Sequence, residues 1–196
     1  MTIRTGKRGI IKLMFGIELT FSYIVSQVFV VAEYALLGAS YLAKKRRMVV
    51  IFDILSMVCG IVAYVLLGAD LGMAMSVIIL LANFYYLWDE HQHSARERKK
   101  LHKRDYVVLT IVLLAIAVMA WLTYDNVLSL LSVAATVLYE ISIWQKSTKV
   151  YKFLGIPIAV CWMIYNGFVL SIFGVICEAG MLVASIVGYM REIRKS

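Results

Sequence analysis

Long apolar runs, broken by short clusters of charge, dominate the order of residues along the chain. At 1.5 Å rise per residue, about 20 apolar positions span the hydrocarbon core of a bilayer. Seven such runs predict seven helices, near Ile17 to Ala43, Arg47 to Gly68, Leu71 to Trp88, Tyr106 to Tyr124, Val127 to Trp144, Val150 to Val169 and Leu170 to Met190. Residues 1–16 precede them as an interfacial segment, in which Lys7, Arg8 and Lys12 suggest an amphipathic helix that continues toward Glu18. Gly68-Ala-Asp70 and Tyr124-Asp-Asn126 are very short connections, so the helices they join are antiparallel neighbours. The expected fold class is therefore an all-α, polytopic membrane protein. Its parts are a first three-helix bundle at 17–88, a basic loop at 89–105, a linker helix at 106–124 and a second three-helix bundle with a short basic tail at 125–196.

Composition sharpens this picture. Of the 196 residues, 62% are hydrophobic and 16% charged, with a mean hydropathy of +0.84, whereas soluble domains run nearer half apolar and a quarter charged. Cys59, Cys161 and Cys177 all sit in apolar runs, and an odd number so placed is neither a disulfide framework nor a zinc spacing. The apolar run from Gly9 to Ala43 is too long for the core of a cleaved signal.

The net charge of +8 flanks hydrophobic segments instead of lining a soluble basic face, which argues against a nucleic-acid partner. Lys44 to Arg47, the six bases from Arg96 to Arg104, Lys146, Lys149, Lys152, Arg191, Arg194 and Lys195 fall on one side of seven alternating spans. They are 16 of the 20 basic residues. The positive-inside bias places that side in the cytoplasm, against anionic lipid, with the N-terminus outside and the C-terminus inside. Trp88 and Trp144 then mark the inner interface, and Trp121 with Tyr124 the outer one.

Sliding the chain on itself by 102 residues aligns Ala32 with Ala134, Ser40 with Ser142, Lys44 with Lys146, Cys59 with Cys161, Gly72 with Gly174, Ala82 with Ala184 and Glu90 with Glu192. The polar positions are more telling. Gly72, Ser76, Asn83 and Tyr86 map onto Gly174, Glu178, Ser185 and Gly188, and their spacing keeps each set on one helical face. Two parallel three-helix repeats joined by a linker helix, a 3+1+3 plan, follow from this, with a central path between the halves. Close packing through small residues would produce a similar stripe.

Ile143-Trp-Gln-Lys-Ser-Thr-Lys-Val-Tyr-Lys-Phe-Leu-Gly155, Trp162-Met-Ile-Tyr-Asn166, Gly174, Glu178 and Arg191 resemble the YgjV-type family of bacterial inner-membrane proteins. Leu67-Gly68 and Asn83 match its first half, and the resemblance covers residues 30 to 194. In plan the family is similar to SWEET sugar facilitators, PnuC-type vitamin transporters and the KDEL receptor. The resemblance implies the 3+1+3 fold and residence in the inner membrane, but no substrate. The prolines of SWEET helices are absent here except for Pro157, and PnuC-like aromatic pairs are represented mainly by Trp162.

An ionisable group at mid-membrane costs roughly 2.5–3.5 kcal/mol on insertion scales. Glu33 and Glu178 lie mid-span and point to a polar central cavity. Asp53 and Glu140, nearer the basic ends, are expected to be structural, snorkelling or paired with Arg46, Arg47 or Lys146. Trp162, Tyr165 and Asn166 fall within one turn, which sets an aromatic plane beside an amide suited to a flat or sugar-like ligand, or else glues helices together. Pro157 frees the carbonyl of Phe153 and serves as a hinge or a tolerated kink. The substrate-binding set expected is Glu33, Asn83, Trp162, Tyr165, Asn166, Glu178 and Ser185. His91, His93 and His102 sit among bases, which disfavours a metal. No catalytic motif, nucleotide-binding domain or cofactor motif is legible. The expected function is a non-enzymatic transporter or facilitator of a small polar metabolite (vitamin-, nucleoside-, sugar- or amine-like), with further copies of the chain as candidate partners in a homo-oligomer. The alternative is a receptor or assembly factor that transports nothing.

Overall fold

A computed structural model describes residues 11–12, 18–19, 21–67, 70–92, 100–122, 129–168 and 172–194. Among them, Ile11–Lys12 (β1) and Glu18–Leu19 (β2) pair antiparallel, so these positions form a two-rung ladder where the sequence suggested an interfacial helix. Seven helices follow: α1 Phe21–Leu42, α2 Arg46–Leu67, α3 Asp70–Gln92, α4 Lys103–Leu122, α5 Ser129–Trp144, α6 Thr148–Phe168 and α7 Ile172–Ile193. Among the described residues four segments are long and apolar enough to cross a membrane: Phe21–Leu42, Arg46–Leu66, Lys103–Leu122 and Gly174–Ile193. Leu130–Trp144 is a shorter apolar helix.

Helix ends are fixed by local chemistry. Asp105 occupies the third position of α4 and accepts the His102 backbone N–H at 2.7 Å, the reciprocal half of a capping box. Ser147 precedes α6 and its Oγ accepts the Val150 N–H at 3.4 Å. Between α5 and α6, Lys146 adopts φ 63°, a left-handed conformation that a non-glycine residue pays about 1–3 kcal/mol to hold. The aligned hydroxyls of Ser40 and Ser142 each donate to the carbonyl three residues back, Leu37 and Tyr139, at 2.7 and 2.6 Å. Such bonds leave no bare donor inside an apolar helix bundle.

Every helix packs on its sequential neighbour, and α1 closes against α7 and touches α6. Side chains of α3 and α5 also meet, through Asn83 with Tyr139 and Tyr86 with Glu140. α4 packs on α3 and α5 and buries only Asp105, Val112 and Ile116. Its start at Lys103 lies three residues before the uncharged stretch expected from Tyr106, so the linker helix carries a charged first turn. Likewise α3 continues to Gln92, which makes Asp89 and Glu90 helical residues and not loop residues.

The bundle is apolar on its outside as well as in its core, where Val50, Ile116 and Ile143 are at most 1% exposed. Its interior also holds Asp53, Asn83, Glu140, Ser142, Lys152 and Ser185, all at most 1% exposed. Its perimeter presents Val28, Leu81, Val107, Ile111, Leu114 and Trp121 at 57% exposure or more. A continuous apolar perimeter of this extent is stable only against another apolar phase.

Candidate functional site

The junctions α1–α2, α3–α4 and α5–α6 and the end of α7 bring most bases to one end of the bundle, here termed the basic end. A cavity of about 560 Å³ occupies the half farther from it. Six helices plus Ala120 of α4 line it. From α1, Glu33, Tyr34, Leu37 and Tyr41 face inward at helical spacing, and α2 adds Met57 and Tyr64. Ser76 of α3 and Glu178 of α7, aligned by the 102-residue repeat, both line the wall.

Of the residues expected to bind a substrate, Glu33, Trp162, Tyr165, Asn166 and Glu178 are on the cavity wall. Glu178 accepts the Tyr34 hydroxyl at 3.0 Å. Glu33 lies within electrostatic reach of Glu178 and packs its carboxylate onto Gly60 of α2, where an added Cβ would fall 2.7 Å from its Oε1. Trp162 and Tyr165 meet edge to face at 5.8 Å. Asn83 and Ser185, the other aligned pair, are fully buried beyond the wall and do not line the cavity. Asn83 reaches it indirectly, since its Nδ2 donates at 3.4 Å to Oη of Tyr139, a wall residue. Pro157 lies inside α6, next to the wall residue Ile158.

Toward the basic end the cavity stops on a floor of aromatic rings and buried acids. Tyr41 stacks on Tyr151 with centroids 4.8 Å apart. Tyr151 donates to Asp53 Oδ1 at 3.0 Å and has its Oη 2.7 Å from Ser40 Oγ. Glu140 accepts from Tyr86 at 3.5 Å. No direct ion pair joins Asp53 or Glu140 to Arg46, Arg47 or Lys146 among the described residues; tyrosine hydroxyls serve both acids, and Arg46 acts on Asp53 only through its field. Asp53 Oδ2, Glu140 Oε1 and Asn83 Oδ1 meet no donor among the described residues.

The bases instead form a second layer below the floor. Lys146 binds Asp89 at 2.6 Å and Asp105 at 2.7 Å. Arg46 pairs with Glu90 at 3.4 Å while its Nη2 donates to the Ile143 carbonyl at 2.7 Å. Lys152 pairs with Glu192 at 2.6 Å and donates to the Ala43 carbonyl at 2.7 Å. Glu90 and Glu192 are repeat partners, so each receives a base from its own half. Arg46 in turn holds a carbonyl in the last turn of α5, and Lys152 one just past the end of α1. These contacts went unread in the sequence, where the bases looked like solvated loop charges. The alignment of Glu90 with Glu192 was the signal available. His93 and Ser94 lie outside the described residues.

No curated protein and no solved structure matches the chain. The model of the Imp-YgjV family, described as bacterial inner membrane protein, matches residues 24–196. That span takes in every helix but the first turn of α1, and with it the cavity, its floor and the ion pairs below. The chain belongs to the Imp-YgjV family of bacterial inner membrane proteins, and it is a multi-pass member of that membrane.

Proposed function

We propose that the protein carries a small polar metabolite across the inner membrane, by facilitated or ion-coupled transport and without enzymatic chemistry. In this reading all seven helices span the bilayer as two parallel three-helix repeats, α1–α3 and α5–α7, with α4 as the linker. The observation that carries it is the cavity of about 560 Å³, with aligned positions of both repeats, Ser76 and Glu178, on its wall. Pockets for small molecules run from about 300 to 1,000 Å³. Carboxylates inside a lipid-embedded bundle mark substrate or ion paths more often than structure. The closed layer at the basic end supports a state open toward the opposite face. The chain has no nucleotide-binding motif, so the driving force is a gradient or cytoplasmic consumption of the solute.

A flux screen in proteoliposomes over vitamins, nucleosides, sugars and amines tests the proposal. Glu178→Gln keeps the side-chain shape and removes a buried charge, so the variant is expected to match the parent in melting temperature. Its flux should fall at least tenfold. Parent-level flux in this variant removes Glu178 from the site. Ligand binding with no flux for any solute favours the receptor alternative.

The basic end is taken as cytoplasmic, with the N-terminus outside, because sequence order assigns 16 of 20 bases to that side of seven alternating spans. In a background with the three native cysteines replaced, Ser94→Cys should resist an impermeant thiol reagent applied to intact spheroplasts and react after lysis. Labelling of intact spheroplasts would reverse the orientation.

A further inference from the structure

The chain carries a net charge of +8, yet its buried ionisable groups have the opposite balance. Among the described residues six carboxylates, Asp53, Asp89, Glu90, Asp105, Glu140 and Glu178, are buried, against the ammonium groups of Lys146 and Lys152. Those two bases, with Arg46, are held by the acids of the lower layer. Among the described residues no Lys, Arg or His lines the cavity, whereas Glu33 and Glu178 both do. Asp53 and Glu140 lie just beneath its floor, without an ion pair of their own.

An anion brought into this space would meet carboxylates in a low-dielectric surround with no cation to receive it, which costs several kcal/mol. A neutral solute would leave the two acids to relieve their repulsion by taking up protons, whereas a cation relieves it directly. The wall also decides what kind of cation fits. A sodium or calcium ion needs about six or more oxygen ligands at close range. Here the two acids share the wall with aromatic rings, those of Tyr34, Tyr41, Tyr64, Tyr139, Trp162 and Tyr165. Ring faces attract weakly hydrated, polarisable cations, and rows of Tyr and Trp are the usual surroundings of quaternary ammonium groups.

We propose that the cavity is a site for an organic cation, a quaternary ammonium or pyridinium-like group that sits among the rings with its charge toward Glu33 and Glu178. The inference rests on the cavity being a ligand site, as proposed above, and gives that site its substrate class. Asn166, one turn from Trp162, is placed to hydrogen-bond a polar substituent of the same ligand.

The test compares cations with neutral isosteres in which carbon replaces the charged nitrogen. Suitable pairs are choline with 3,3-dimethylbutan-1-ol, and 3-carbamoyl-1-methylpyridinium with 3-methylbenzamide. Binding is measured by calorimetry on the full chain in nanodiscs, and flux in proteoliposomes. Each cation is expected to bind at least tenfold more tightly than its isostere, and Glu178→Gln or Glu33→Gln should abolish the preference through weaker binding of the cation. If one variant does not fold, the other carries the comparison. Equal affinity within both pairs, or tighter binding of benzoate than of either cation, overturns the substrate class. Flux of a neutral or anionic solute with no cation binding also overturns it, and leaves the carrier intact. Cation binding without flux supports the class and overturns the carrier.

Discussion

Lys146→Met is expected to destabilise the protein by about 3–5 kcal/mol, the usual cost of leaving buried charges without their partner. The Lys146 side chain is 2% exposed, and those of Asp89 and Asp105 are 6% and 0% exposed. Removing the ammonium leaves two carboxylates facing each other out of water, with Tyr85 donating to one of them at 3.0 Å. Exposed ion pairs contribute only about 0–1 kcal/mol, so the size of the loss itself reports the burial. Thermal unfolding in detergent gives the measurement. Asp89→Asn with Asp105→Asn in the same chain should restore most of the stability, since the repulsion between the two carboxylates is then gone. An unchanged melting temperature in Lys146→Met alone would mean that water reaches all three groups.

The second large effect is steric. A Cβ on Gly188 would collide with the carbonyl oxygen of Tyr41 and approach Lys152 Cδ at 3.3 Å. Backbone of α1 cannot swing aside as a side chain does, so α7 must move as a body. Gly188→Val should cost about 1–3 kcal/mol or more, as overpacking does in close-packed interiors. Gly180, eight residues earlier on the same helix, has nothing within 4 Å of its added Cβ. Gly180→Ala should therefore stabilise by about 0.5–1 kcal/mol through backbone entropy. Opposite shifts in melting temperature identify the α1–α7 contact as the cause. Parallel shifts would mean that helix propensity alone is being measured.

Helix number was legible because most apolar runs ended in charge or a tight turn. Boundaries were less so: charged Glu18 did not stop the apolar count, but α1 begins only at Phe21, and the charged ends of α3 and α4 were read as loop. Half of the site was legible too. Glu33 and Glu178 stood out because a lone acid in an apolar helix is costly wherever it lies. The wall tyrosines did not, since aromatic residues are ordinary in apolar helices and single helices do not reveal which face turns inward. Tyr34, Leu37 and Tyr41 follow Glu33 along one stripe, and that spacing was the missed clue. Asn83 and Ser185 matched each other in sequence, but depth along the bundle placed them below the cavity. The buried ion pairs were hidden for a related reason. Charges near helix ends read as solvated, and only the packing of α3, α4 and α5 seals Asp89, Asp105 and Lys146 from water.

Pro157 has Leu55 as its counterpart in the first half, 102 positions earlier. α6 therefore lacks one rung of its backbone ladder, whereas α2 keeps all of its own across the equivalent turn. α2 and α6 are aligned by the repeat but do not share a stiffness. α6 is the compliant member of the pair, and α2 the rigid one. Both run from the ionic layer up to the cavity wall, so a load applied at the wall bends α6 more readily than α2. In the proposed carrier, rocking is therefore expected to be lopsided, with the second half yielding around a first half that acts as its frame.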